Sequence, residues 1–274
     1  MYIILQYLGA CLFIFITFFF VIIPMLPNAW QYRTKMSVYY MLLLIYGFIT
    51  TVLALATPRQ LSNYKYPMAT LAFTRWLYGL RYRVNNLARL RQLQGSYVLV
   101  SNHQSSIDLM GVGLLWPYQC TIVAKKSLMF AGWFGLAAWL CGCVFVSRGR
   151  QSAQAEMRRL AARMARQDDT VRVWIFPEGT RVSGADLGDF KKGAFHLAVQ
   201  AQVPVVPIVF SNYSSFYSKR SGLFQQGEVE ATVLEPLPTA GLTEADVADL
   251  TKRVRDAMSA EYSRLSAASD CKAD

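Results

Sequence analysis

Hydrophobic positions along the chain fall into two regimes. Up to about residue 58 they form long unbroken runs; beyond about Gly95 they come in short runs separated by polar turns. Residues 1–27 carry no charge and end at Pro24 and Pro27, enough for a spanning helix of about 20 residues. A linker holding Arg33 and Lys35 leads into a second apolar run over 36–57. A cleaved signal peptide is the weaker reading of the first run, because a basic n-region and a clean small-x-small site are missing. The two runs predict a two-helix hydrophobic membrane anchor over 1–58, and their lengths fit a spanning hairpin or a re-entrant pair in one leaflet. The next stretch, 59–94, has Arg59, Lys65, Arg75, Arg81, Arg83, Arg89 and Arg91 and no acidic residue. By the positive-inside rule this juxtamembrane segment faces the cytosol.

From Gly95 strand-like and helix-like patterns alternate, which predicts an α/β domain over 95–264. Strands are expected at 97–101, 119–124, 143–147, 171–176, 204–210 and 228–234. Helices are expected at about 106–115, 127–141, 152–167, 190–202 and 243–264, the last opened by a capping box at Thr243-Glu244-Ala245-Asp246. Residues 265–274 read as a polar tail. Hydropathy alone would make 127–146 a third membrane span. A span there would put residues 103 and 178 on opposite sides of the bilayer, so a helix followed by a strand is expected instead.

Composition sharpens the picture. Hydrophobic residues make up 54% and charged residues 16%, apolar for a soluble enzyme. The formal net charge of +11 favours an anionic partner, phospholipid headgroups or a phosphorylated substrate. With no zinc-finger spacing, basic heptads or RNA-binding signature, nucleic acid is not expected as a partner. Five cysteines, at 11, 120, 141, 143 and 271, match no disulfide framework. Cys141-Gly142-Cys143 lacks a second pair to complete a tetrahedral metal site, so no metal is expected and buried free thiols are.

Candidate chemistry begins with Asn102-His103-Gln104-Ser105-Ser106-Ile107-Asp108, after the first strand. A histidine oriented by a carboxylate can take a proton from a hydroxyl near neutral pH. Residues five apart on a helix lie about 140° around its axis. His103 and Asp108 therefore meet only if the histidine is in the turn and the aspartate in the first turn of the next helix. The plain alternative is a capping box, with Ser105 as N-cap and Asp108 merely satisfying a backbone N–H. No serine, threonine or cysteine nucleophile accompanies the pair, which points to a substrate hydroxyl.

Three further groups follow strands. Arg148 ends Phe145-Val146-Ser147-Arg148. Phe176-Pro177-Glu178-Gly179-Thr180-Arg181 places a carboxylate, a glycine, a hydroxyl and a guanidinium in four consecutive positions. Arginine presents a planar fork suited to phosphate, and glycine lets the backbone come close to a ligand. Val203-Pro204-Val205-Val206-Pro207-Ile208-Val209 suits a groove wall or an edge strand. Each has a structural alternative: an ion pair closing a turn for Glu178 and Arg181, a strand-end charge for Arg148. For Lys125, Lys126, Lys191 and Lys192 it is ordinary surface charge, and His196 reads as a core or interface histidine.

Taken in order, Asn-His-Gln-Ser-Ser-Ile-Asp, Phe-Val-Ser-Arg, Phe-Pro-Glu-Gly-Thr-Arg and Val-Pro-Val-Val-Pro-Ile-Val resemble the four blocks of the glycerolipid acyltransferase family. The similarity runs from about Tyr97 to Tyr262 and is greatest to the eukaryotic 1-acylglycerol-3-phosphate (lysophosphatidate) acyltransferases of the endoplasmic reticulum. Ser147 and Val182 depart from the family pattern, replacing an acidic residue before Arg148 and a serine after Arg181. The resemblance implies a mixed sheet flanked by helices and an acyl transfer from acyl-CoA to the sn-2 hydroxyl of lysophosphatidate, giving phosphatidate. It makes His103 the general base and Asp108 its orienting acid. It assigns Arg148, Glu178, Gly179, Thr180 and Arg181 to the acceptor's glycerol phosphate, with Lys125 and Lys192 as further substrate contacts. It implies no bound cofactor, acyl-CoA as co-substrate, a lipid bilayer as partner, and a catalytic domain on the cytosolic face of the endoplasmic reticulum. Another acceptor, such as glycerol 3-phosphate, and a non-catalytic membrane-shaping scaffold stay open as alternatives, as does the oligomeric state.

Overall fold

A computed structural model describes residues 2–147, 149–166, 168–184 and 186–270. The N-terminal apolar run is helical throughout: α1 (Tyr2–Thr17), a π-helical turn (Phe18–Ile22) and α2 (Ile23–Met25). The chain breaks between Pro24 and Pro27 and resumes as α3 (Asn28–Ala54). Proline at the start of a helix costs no hydrogen bond, and the residue before a proline disfavours helix, so the break falls where the sequence demands it. Among the described residues α3 alone is long and apolar enough to cross a membrane; Phe13–Met25 is a shorter apolar stretch.

Then come α4 (Lys65–Leu77), β1 (Leu80–Asn85), α5 (Leu87–Gln92), β2 (Tyr97–Ser101), α6 (Asp108–Leu115), β3 (Cys120–Lys125), a 3₁₀ turn (Lys126–Phe130), α7 (Gly132–Leu140) and β4 (Val144–Val146). The second half has α8 (Arg150–Met164), β5 (Arg172–Ile175), α9 (Gly193–Ala201), β6 (Val205–Phe210), a short hairpin of β7 (Tyr217–Ser218) and β8 (Leu223–Phe224), β9 (Gly227–Val233) and α10 (Val247–Asp270). The third apolar run is thus a 3₁₀ turn, a helix and a strand. Thr243 and Asp246 form the expected reciprocal cap before α10. That helix continues past residue 264 to Asp270, with Leu265 buried.

Seven strands form one sheet in the order β1-β9-β6-β2-β5-β3-β4. All neighbours are parallel except β6 and β9, so β1 and β9 run against the other five. The sheet is mixed and flanked by helices. Strand alternation sorts its side chains between two cores. Leu99, Trp174 and Ile208 face a layer built with α3, α4 and α6; Val98, Val100 and Val173 face α8, α9 and α10. The carboxyl ends of adjacent β2 and β5 therefore open on the same edge, where ligand sites of α/β sheets form.

β1 lies inside the basic 59–94 segment, where no strand was expected. It pairs with β9 along its whole length, with Leu80 buried and Arg81 and Arg83 turned outward. Cys120, Cys141 and Cys143 are free and buried, and burial pushes the Cys141 and Cys143 thiols up to about 12.

The second expected anchor helix is two-faced. Met36, Val38, Tyr39 and Leu42 belong to the same core cluster as Leu99 and Trp174. Leu44, Ile45, Phe48, Val52 and Leu53 are exposed, as are Phe73 and Trp76 of α4 and Phe130 and Trp133 before and within α7. Where α3 crosses α7, Gly47 lets the backbones touch: a Cβ there would lie 2.7 Å from Phe134 N. Replacing Gly47 with valine should therefore lower the melting temperature of the detergent-solubilised protein. Overpacking of this kind costs about 1–3 kcal/mol, worth roughly 2–4 °C per kcal/mol at this chain length. An unchanged melting curve would mean that α3 and α7 are not seated as described.

Candidate active site

The turn after β2 is built around one carboxylate oxygen. Asp108 is 1% exposed, at the first position of α6. Its Oδ2 accepts from His103 Nδ1 at 2.6 Å and from the backbone N–H groups of Gln104 at 2.8 Å and Ser105 at 3.0 Å. Asp108 thus satisfies backbone donors and contacts the histidine at once, but the alternative capping box is not formed: Ile107, not Ser105, is the N-cap of α6 and makes no side-chain cap. An ionised carboxylate only accepts, so opposite one Nδ1 is the donor, and in the neutral ring that leaves Nε2 as the acceptor. The imidazole stacks on Phe176 with ring centroids 4.1 Å apart and keeps 19% of its side chain exposed.

Neighbouring strands clamp the same turn. Asn102 exchanges two 2.9 Å hydrogen bonds with the backbone of Phe210, joining the end of β2 to the end of β6. Gln104 donates to Ser211 O at 2.8 Å and accepts from Tyr213 N–H at 3.3 Å. From α3, Tyr39 donates to Ser106 O at 2.8 Å, and the Tyr40 hydroxyl lies 3.0 Å from Ser106 Oγ. Asn102, Gln104, Tyr39 and Tyr40 were not singled out from sequence. Asn102 and Gln104 lay within the recognised motif, while Tyr39 and Tyr40 were hidden in an apolar run.

The loop after β5 supplies the other wall. Pro177 and Gly179 shape its turn, Gly179 N–H donating to Phe176 O at 3.1 Å, with Gly179 at φ +66°, a region that favours glycine. Glu178 was expected to face the acceptor. Its carboxylate is instead turned inward, 4% exposed, accepting from His103 N–H at 2.8 Å and Gly188 N–H at 3.1 Å. Burial raises its pKa against the pull of those two donors. Val182 N–H donates to His103 O at 2.7 Å, so the His103 peptide is held at both its N–H and its C=O.

Thr180 and Arg181 are exposed on this loop, as is Lys192 at the N-terminus of α9. Lys191 was set aside as surface charge, yet its ammonium lies over Gly179, 2.5 Å from where a Cβ would stand. Lys125 is exposed at the end of β3, in register with Val146 of β4. Arg148 lies outside the described residues. His196 is partly exposed, 3.8 Å from Glu244. The N–H groups of His103, Gln104 and Ser105 are all taken by carboxylates, so the donors for an oxyanion have to come from beyond these three.

Glu178 gives a direct check on this geometry. A glutamine has one acceptor oxygen, so Glu178→Gln leaves the N–H of His103 or of Gly188 facing an NH₂ donor. Burying an unsatisfied donor costs about 1–3 kcal/mol, and Glu178→Ala strands both. Melting temperatures should fall in the order wild type, Gln, Ala. Equal values for all three would remove Glu178 from the scaffold.

Comparisons with known proteins follow the same outline. The acyltransferase family model matches residues 81–211, from β1 to the residue after β6. The chain is 41% identical over 249 residues to human 1-acyl-sn-glycerol-3-phosphate acyltransferase alpha, covering 88% of this chain and 87% of that protein. It is 46% identical over 193 residues to the human beta enzyme, covering 70% and 68%. Its fold is similar to the crystal structure of the 1-acyl-sn-glycerophosphate (LPA) acyltransferase PlsC from Thermotoga maritima, with a TM-score of 0.64 at 20% identity over 87% of this chain and 94% of that one.

Proposed function

The chain belongs to the acyltransferase family, and on that premise we propose that it transfers an acyl chain from acyl-CoA to the sn-2 hydroxyl of 1-acylglycerol 3-phosphate, forming phosphatidate. The observation that carries the chemistry is the His103–Asp108 contact of 2.6 Å. Among the described residues it is the one hydrogen bond of the imidazole ring, and Nε2 is left for a hydroxyl from outside.

In this reading Nε2 takes the proton of the acceptor hydroxyl as its oxygen attacks the thioester carbon. Asp108 holds the tautomer and stabilises the imidazolium, as the acid does in a Ser-His-Asp triad. The tetrahedral intermediate expels the CoA sulfur, and the proton held on His103 leaves with it. A thiol pKa near ~8.5 makes this an undemanding leaving group. The substrate hydroxyl occupies the place of the triad serine, so no acyl-enzyme forms.

Thr180, Arg181 and Arg148 would meet the acceptor's glycerol phosphate, with Gly179 allowing close approach and Lys125 and Lys192 adding positive charge. Glu178 would serve the same loop from behind by fixing the His103 peptide. The reading extends to location: a catalytic face on the cytosolic side of the endoplasmic reticulum membrane, where acyl-CoA is available. The basic stretch from Arg59 to Arg91 and the exposed apolar faces of α3, α4 and α7 support bilayer contact.

The test is transfer from labelled oleoyl-CoA to 1-acylglycerol 3-phosphate by membranes containing the wild type or His103→Ala at equal expression. General-base catalysis contributes about 10²–10⁴-fold, and a loss of that size is expected. Full activity in the mutant would dismiss His103 as the base. A wild type inactive on this acceptor but active on glycerol 3-phosphate would reassign the substrate.

A further inference from the structure

Behind the dyad three buried polar atoms lack a hydrogen-bond partner among the described residues, Asp108 Oδ1, Tyr82 Oη and Tyr213 Oη, and the charge of Asp108 acts on both phenols. Buried polar groups are nearly always satisfied, and an orphaned carboxylate oxygen is expensive. Their placement is not accidental to the fold. The Tyr82 ring of β1 packs on α6 at Gly111, one turn beyond Asp108; a Cβ there would lie 2.9 Å from the ring. Tyr213 is tied by its N–H to Gln104, whose own N–H binds Asp108 Oδ2. Arg75 of α4 donates to Met110 O at 3.1 Å; burial and the charge of Asp108 raise the Tyr82 pKa, and the charge of Arg75 lowers it.

We propose that Tyr82 and Tyr213 are positioning residues for the His103–Asp108 dyad, their hydroxyls donating toward the carboxylate oxygen that His103 does not use. The ionisable groups facing Asp108 are His103, Glu178 and the phenols of Tyr39, Tyr82, Tyr213 and Tyr262. Burial and then the charge of Asp108 raise the pKa of Tyr82 and of Tyr213, so both stay protonated and able to donate at any working pH. Donors on Oδ1 draw negative charge away from Oδ2. They limit how tightly the carboxylate holds a proton on the imidazole.

The sign of the test follows. Without a phenol donor, charge returns to Oδ2, the imidazolium is held more tightly, and the His103 titration midpoint rises. The chain has two histidines, so ¹³C-histidine NMR of the full-length protein in micelles resolves His103 against His196, an internal reference beside Glu244. Tyr82→Phe and Tyr213→Phe should each raise the His103 midpoint by about half a pH unit, a roughly threefold change in proton affinity, with His196 unmoved. The acid limb of kcat/KM should shift the same way while KM for both substrates holds. That kinetic arm rests on His103 being the base; the NMR arm does not, so failure of one is distinguishable from failure of the other. A His103 midpoint that is unchanged or lowered in both variants overturns the inference. A lost melting temperature without a titration shift reduces the phenols to packing and overturns it equally. If Tyr213→Phe does not fold, Tyr82→Phe decides alone.

Discussion

Everything at the site depends on where the His103 peptide sits, and that position is set by two buried carboxylates. Asp108 gathers the imidazole and the next two N–H groups onto a single oxygen. Glu178, from the neighbouring strand, takes the remaining N–H of His103. Each carboxylate is costly to bury and is offset by charge-assisted hydrogen bonds that no neutral side chain would match. The result is a turn with little freedom, in which Nε2 alone is left for chemistry. An imidazole held this rigidly would need no rearrangement to act as the proposed base.

The order of strands explains why these groups meet. β2 lies between β5 and β6, all three parallel, so the turn at 102–108, the loop at 176–181 and the backbone of Phe210 emerge on one edge. Asn102 bridges that edge by pairing with both backbone groups of Phe210. The proline-interrupted strand β6 is wholly buried in the middle of the sheet, not at an edge. Pro207 faces Val100 in register, a partner whose parallel pairing tolerates the missing donor there.

Much of this was legible beforehand, for physical reasons. Six strands and five helices after Gly95 carry strong periodicity and clear punctuation, and all are present, although the helix expected at 127–141 begins as a 3₁₀ turn and the last helix runs on to Asp270. For His103 and Asp108, helix geometry said only where each must lie for the two to meet; the capping-box alternative stayed open until the other motifs and the family resemblance were added. β1 was missed although Leu80-Arg81-Tyr82-Arg83-Val84 alternates as a half-buried strand should; its arginines drew attention to membrane topology instead. Glu178 was read as a ligand because spacing says nothing about which way a carboxylate turns. The phenols of Tyr39, Tyr82 and Tyr213 arrive from three distant segments, and only the folded chain brings them to one aspartate.

The two faces of α3 carry a consequence for how such a protein changes over time. An ordinary anchor is a detachable leash: it can be shortened, exchanged or cut away, and the enzyme behind it persists. Here α3, the helix apolar enough to be such a leash, also reaches the candidate site: Tyr39 and Tyr40 bond to Ser106 in the turn after β2, and Met36 and Leu42 fill the same core as Leu99. A substitution on its exposed apolar face is answerable to the candidate site packed against the other. The apolar helix and the acyltransferase fold are therefore not separable modules, and a lineage that altered one would have to accommodate the other in the same step.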